Sequence, residues 1–157
     1  MAKKKKVRPT TIENRRARHE YHIGDVYQAG IALVGTEVKA IRSGKAQISE
    51  GFVRVERGNP VLFNSQIEEY DFGNLNNHTP KRPRRLLLKR KEIDRIEGEI
   101  RSGGKTVIPL KMYFSEGLVK VDIAVVTGKK NYDKREDLKK KTQMREAQRD
   151  VNAHRMR

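Results

Sequence analysis

Three arginines, a histidine and a tyrosine crowd into "NRRARHEY" (14–21): Arg15, Arg16, Arg18, His19 and Tyr21. Guanidinium groups hold phosphate oxygens in pairs and also stack on bases, while His and Tyr offer ring faces to unstacked bases. The chemistry these types suit is RNA recognition. A second cluster, "TPKRPRRLLLKRK" (79–91), sets four basic residues, Arg84 and Arg85 among them, before Leu86, Leu87 and Leu88, and three after. Its blander interpretation is a basic loop leading into a core helix. A third stretch, "GKKNYDKRED" (128–137), has seven charged residues of ten around one tyrosine, Tyr132. It follows an apolar run, and the chain never turns apolar again.

Other chemistries fit poorly. "GEIRSGGKT" resembles a phosphate-binding loop, but that motif needs glycine at position 99, where the chain has glutamate. The order is also reversed, with a helix before the loop and a strand after it, so the segment reads as a helix end and turn. The histidines are His19, His22, His78 and His154. No third ligand at recognisable spacing joins His19 and His22, and polar contacts or base stacking suit these side chains better. Glu68, Glu69 and Asp71 could suggest a nuclease metal site, but neighbouring carboxylates on a strand point to opposite faces. The expectation is no enzyme, no metal and no cofactor.

Charge supports a polyanionic partner. The 157 residues carry a net +16, with 36% charged and 35% hydrophobic. Residues 1–18 hold +7 and residues 129–157 hold +6, leaving +3 for the body between. Two basic arms on a nearly neutral body point to nucleic acid or an anionic surface. Without cysteine there is no disulfide framework. "MAKKKKVRPT" lacks the apolar region of a secretory signal, and the aliphatic runs are too short to span a bilayer. A cytoplasmic, soluble monomer without membrane contact is expected.

Short strands and turn glycines must position these clusters. "VKVDIAVV" (119–126) alternates, putting Val119, Val121, Ile123 and Val125 on one face and Lys120 and Asp122 on the other. "TVIPLKMYF" predicts a strand with Ile108, Leu110, Met112 and Phe114 on one face, Pro109 marking an edge or bulge. "SEG" (115–117) joins the two. "FVRVERGNPVLF" predicts a hairpin turning at Gly58-Asn59. Residues 20–33 predict another strand, interrupted at Gly24 and Gly30. Two helices are expected. One is capped by Thr36, with Val34, Val38 and Ile41 in phase and Gly44 as its stop. The other carries Ile93, Ile96 and Ile100 and ends at Gly103-Gly104. The fold class is mainly β: a small antiparallel barrel of the oligonucleotide-binding type with two or three short helices. An open α+β sheet is the alternative.

"ENRRARHEY", "GIALVGTEVKAIRSGKA", "RRLLLKRKEI", "TVIPLKMYF" and "TGKKNYDKRED" occur in this order. Together they resemble small protein B, the tmRNA-binding (SsrA-binding) family of bacteria, from about Asn14 onward. The resemblance implies an oligonucleotide-binding-like barrel over 14–130, a basic flexible arm over 1–13 and a basic tail over 131–157. It implies binding to the tRNA-like domain of tmRNA and delivery to stalled ribosomes for trans-translation, with elongation factor Tu and GTP taking part and no catalysis. It puts Glu37, Lys39, Leu87 and Lys120 beside Arg15, Arg16, Arg18, His19, Tyr21, Arg84 and Arg85 on the tmRNA-binding surface. Gln28 stands where family members often carry glutamate, and Ala40 where serine is common. The resemblance further implies that the tail enters the decoding centre, against 16S rRNA, and the empty mRNA channel. Gly128, Lys129, Lys130, Tyr132, Asp133, Lys134 and Arg135 belong to that contact, with Tyr132 suited to stacking on an rRNA base. On a helical projection Lys141, Arg145 and Arg149 continue the stripe of Lys134, apart from an apolar strip of Met144, Ala147 and Val151. The tail has too few apolar residues to offset the entropy of ordering, yet no Pro or Gly from Asp133 to Val151. It is expected to be disordered when free and helical on the ribosome. The competing expectation is a structural ribosomal protein that binds RNA.

Overall fold

The computed structural model describes residues 10–72 and 77–155, apart from the side chains of residues 131 and 132. It turns the alternation of "VKVDIAVV" into a strand, Leu118–Gly128, and the preceding apolar run into another, Thr106–Ser115. In chain order the described elements are β1 (Ile12–Glu13), α1 (Ala17–Glu20), β2 (Tyr21–Ile31), α2 (Gly35–Arg42), β3 (Ala46–Gln47), β4 (Phe52–Glu56), β5 (Asn59–Phe63), β6 (Gln66–Ile67), β7 (Arg84–Leu87), α3 (Arg90–Arg101), β8 (Thr106–Ser115), β9 (Leu118–Gly128) and α4 (Asn131–Arg155). All pairings are antiparallel, and the order β8-β4-β5-β7-β2-β9 closes on itself because β9 also pairs with β8. Six strands therefore form a barrel, which removes exposed sheet edges. β1 adds to β8 through Ile12↔Met112, and β3 pairs with β6 alongside. Ile12 and Glu13, placed in the arm on sequence, thus belong to the sheet, while residues 1–9 of that arm lie outside the described residues.

Val119, Val121, Ile123 and Val125 all point into the barrel, where they meet Ala29, Val53, Leu62, Leu86, Val107 and Met112. Each such side chain contributes about 1.5–3 kcal/mol when fully buried. Ala124 and Val126 face outward yet are buried too, beneath Ala17 of α1 and beside Ile108. The single face expected for Ile108, Leu110, Met112 and Phe114 is corrected. Register slips between Pro109 and Lys111, leaving Leu110 as an extra residue. A bulge reverses side-chain parity. Ile108 and Leu110 therefore belong to the outer cluster under α1, and Met112 and Phe114 to the barrel core.

The hairpin turns follow backbone sign. β8 and β9 join through Glu116 and Gly117, at φ 51° and 78°. β4 and β5 join through Arg57 and Gly58, at φ 49° and 77°, one residue earlier than expected. Two consecutive positive φ angles give the turn whose twist matches paired strands. Gly24 does mark a break in β2, since register slips between Ile23 and Val26 and an added Cβ would lie 2.9 Å from the Val125 carbonyl oxygen. Gly30 does not interrupt the strand, because it pairs with both Leu87 and Lys120. Thr36 is not the cap of α2. The Val34 N–H is instead held by Glu37 Oε1 at 3.0 Å, and Thr36 bonds His78 Nδ1 at 2.8 Å. The leucine triplet lies at β7 and its end rather than in a helix start.

Candidate RNA interface

Directly opposed residues of antiparallel strands point to the same face. Leu87, Gly30 and Lys120 oppose one another across β7, β2 and β9, and Tyr113 of β8 continues the row. The adjacent outward row is Gln28, Asp122 and Lys111. Leu87 is 56% exposed, a large apolar side chain on an outer surface. Gly30 leaves the face flat between Leu87 and Lys120, and a Cβ there would come 3.2 Å from that of Leu87. Among the described residues Lys120 has no ion-pair partner. Gln28 donates to the Tyr113 hydroxyl at 2.6 Å, and that hydroxyl donates to Asp122 at 2.8 Å. Burial, then the Asp122 carboxylate, pushes the Tyr113 hydroxyl above its ordinary pKa. Lys111 Nζ lies 3.6 Å from the second Asp122 oxygen. A fixed amide, a phenol and two cations beside an apolar step can hydrogen-bond a base edge and hold phosphate.

The arginine cluster is fixed from beneath. Asn14 is buried, donates to the Pro109 carbonyl at 2.9 Å, and its N–H bonds the Leu110 carbonyl at 2.8 Å. Ala17 is buried as well, so the segment is pinned at two points while Arg15, Arg16, Arg18 and His19 remain exposed. Tyr21 starts β2 opposite Gly128 and is half-buried. A cleft of about 440 Å³ joins Arg15 and Arg18 to Lys111 and Asp122. That cleft brings the arginine cluster up to the outward row of Asp122 and Lys111.

Three expected contact residues are corrected. Glu37 and Arg84 are both 0% exposed and form an ion pair, with Arg82 as second partner to Glu37. Arg84 also donates to the Ser65 carbonyl and hydroxyl at 2.9 and 3.0 Å and to the Pro80 carbonyl at 3.0 Å. Burial works against the Glu37 charge. The Val34 N–H and both guanidinium groups outweigh it and hold the carboxyl below its usual range. Both are enclosed rather than presented on the outer face, and they tie α2 to the start of β7. Lys129 is the third. Its ammonium is turned inward, donating to the Arg18 carbonyl at 2.8 Å and pairing with Asp137.

Lys129 therefore anchors the tail to α1. Its N–H also bonds the Glu20 carbonyl at 2.9 Å, and His22 Nε2 lies 3.4 Å from Asp133 Oδ2. The Lys129 hydrogen bond holds the Asp137 carboxyl below its ordinary pKa against slight desolvation. Gly128, Lys130 and Arg135 are exposed and Lys134 half-buried, as α4 leaves the barrel. The Tyr132 side chain lies outside the described residues. From Leu138 onward every described residue is exposed, including Lys141, Arg145, Arg149 and the apolar Met144 and Val151. Lys39 is exposed on α2, with its ammonium 5.2 Å from the centre of the Tyr70 ring. Nothing local in the chain marks Tyr113 or Lys111 as part of this surface. The register of the "SEG" hairpin, which sets Tyr113 opposite Lys120, would have found the first.

A closed antiparallel barrel with a polar, cationic outer face and a projecting basic helix defines the class of β-barrel nucleic-acid-binding proteins. The pattern of the SmpB protein family matches residues 11–153. An SsrA-binding protein of Kineococcus radiotolerans is 51% identical over 142 residues, covering 90% of this chain and 91% of that one. Another, from Moorella thermoacetica, is 53% identical over 140 residues, covering 88% of each. One from Thermobifida fusca is 46% identical over 99% of this chain and 100% of its own length. A solved structure described as "tmRNA-SmpB: a journey to the center of the bacterial ribosome" superposes with a TM-score of 0.66 at 46% identity, covering 77% of this chain and 85% of that one. The chain belongs to the SmpB protein family.

Proposed function

We propose that this protein binds the tRNA-like domain of tmRNA and delivers it to stalled ribosomes for trans-translation, as a non-catalytic adaptor. The observation that carries this reading is the outward row Leu87–Gly30–Lys120 with Gln28 beside it, a flat apolar step next to a cation that has no ion-pair partner among the described residues. The names of its relatives, SsrA-binding proteins, support the ligand, and the tmRNA-SmpB neighbour supports the ribosome as the place of work. In this reading Arg15, Arg16, Arg18, His19, Tyr21, Lys39, Arg85, Leu87 and Lys120 face the RNA. Gln28 keeps the hydrogen-bonding part of a carboxylate's role without its charge. Lys130, Lys134, Arg135, Lys141, Arg145 and Arg149 face ribosomal RNA in the decoding centre and mRNA channel, Tyr132 stacks there, and elongation factor Tu with GTP accompanies delivery. From Leu138 onward every described residue is exposed, which supports a tail that is disordered beyond Asp137 in the free monomer and ordered by rRNA, past a start anchored by Lys129 and His22. Among the described residues no helix is long and apolar enough to cross a membrane, and the working site proposed is the cytoplasm.

The test is to purify the tagged full-length protein from cells and sequence the RNA bound to it. Enrichment of tmRNA above all other RNAs is expected, with affinity for its tRNA-like domain falling as salt rises. Each neutralised phosphate should add a slope of roughly −0.7 to −0.9 in log K against log salt. Equal retention of the protein on every ribosome after a high-salt wash, without tmRNA enrichment, would instead make it a structural ribosomal component.

A further inference from the structure

The barrel has a seam. β4 and β8 are neighbours in the ring, yet their register holds a single pair, Val53↔Val107. On one side of that pair the strands part, and the C-terminal turn of α3 lies over a groove of about 680 Å³. Its apolar lining is Val53, Val55 and Ile100, and its charged rim is Arg54 and Glu56 with two ion pairs, Arg101 to Glu97 and Lys105 to Glu99. On the other side lies a smaller cleft of about 220 Å³, which reaches Tyr21, Glu20 and an exposed ion pair of Arg16 with Glu50. Phe52 and Thr106 line both.

Phe52 is the unusual residue here. It points outward from β4 and belongs to neither core cluster. Its ring stacks on Phe63 of β5, with centroids 5.5 Å apart and planes 16° from parallel, and the Arg54 guanidinium sits 5.0 Å from its centre. The ring pair is half-exposed and carries a guanidinium that has no carboxylate partner among the described residues. It is the arrangement that receives an unstacked base beside its phosphate. The groove falls within the size range of small-ligand sites.

We propose that the β4–β8 seam is a track for single-stranded RNA. It runs from Arg16 and Tyr21, past the Phe52 ring, into the groove rimmed by Arg54, Arg101 and Lys105. One nucleotide stacks on Phe52 with its phosphate on Arg54. The proposal rests on the RNA-facing assignment of Arg16 and Tyr21 made above. It adds a subsite three strands around the ring from Gln28 and Gly30 of β2.

The probe is a ten-nucleotide oligouridylate carrying 4-thiouridine, mixed with the full-length protein already saturated with the tRNA-like domain of tmRNA. The oligonucleotide should bind without displacing that domain and should crosslink to the peptide spanning 52–56. Phe52→Leu combined with Arg54→Gln should weaken oligonucleotide binding by about tenfold, as expected for losing one stacked base and its phosphate. Affinity for the tRNA-like domain should stay within twofold. Lys105→Glu, at an exposed position, provides a second variant that should also weaken oligonucleotide binding should the first fail to fold. Displacement of the tRNA-like domain, crosslinks confined to β2, β9 or the tail, or unchanged oligonucleotide affinity in the variants would overturn the proposal. So would failure to bind any oligonucleotide, including the case where the groove instead takes a peptide. Loss of tRNA-like-domain binding by the unaltered protein would count against the proposed function instead, so the two failures are distinguishable.

Discussion

In the barrel, Arg84 and Glu37 are fully enclosed, and the Arg84 guanidinium meets a carboxylate, a hydroxyl and two carbonyl groups. In the tail, Lys141, Arg145 and Arg149 are exposed, and among the described residues the last ion pair with the body is made by Asp137. Both regions are rich in charge. In the first, the charges are partnered within the chain and lock one arrangement. In the second they are left for a partner, and the helix that carries them has no buried face to hold it. Partnered charge shapes the RNA-binding body, whereas unpartnered charge is available to an RNA-walled channel.

The largest effect should come from breaking the buried pair. Glu37→Gln leaves Arg84 enclosed without its counter-charge and should destabilise the barrel by about 3–5 kcal/mol, read from the denaturant midpoint. Binding to the tRNA-like domain should weaken only as the fold loosens. Near-native stability would mean that the pair is not what ties α2 to β7. Acid should do the same more gradually. The folded Glu37 pKa lies below its unfolded value. Its contribution is therefore complete above about pH 4.3, where the unfolded carboxyl titrates, and drains as pH falls through the folded value. Thermal melts from pH 6 to 3 should show the loss in the wild type and not in Glu37→Gln.

Asp137 carries a shift of the same sign from Lys129. Asp137→Asn should leave the barrel's melting temperature unchanged and free the start of the tail helix, seen as faster amide exchange over 131–137. A shared loss of barrel stability would show that the tail is part of the body. Smaller again is Lys120→Ala. The side chain points outward with no ion-pair partner among the described residues, so stability should change by less than about 0.5 kcal/mol. RNA binding should weaken, and its salt slope should flatten by roughly 0.7–0.9.

The barrel was legible where one face alternates. Val119 to Val125 and the two hairpins announced themselves, and Ile93 and Ile96 marked α3. The misread site residues share a cause, which is that the deciding partner lies far along the chain. Glu37 and Arg84 are separated by 47 residues, and nothing local in "GTEVK" or "PRRLL" says that a carboxylate and a guanidinium will meet inside. Lys129 looks like any tail lysine until the Arg18 carbonyl is beside it. The parity reversal at Leu110 depends on where β9 pairs, although Pro109 hinted at it. The outward row was half visible. Lys120 could be assigned to the outer face from alternation alone, but its neighbours Leu87 and Gln28 arrive from other strands.

The separation of body from tail is tested most directly by ending the chain after Lys130 and measuring two things on the same preparation. These are affinity for the tRNA-like domain of tmRNA and peptide tagging on ribosomes stalled by a truncated message. The barrel should melt cooperatively and bind the RNA within a few-fold of the full chain, while tagging should fail. Normal tagging by the truncated protein would contradict the account, as would loss of RNA binding by a barrel that remains folded.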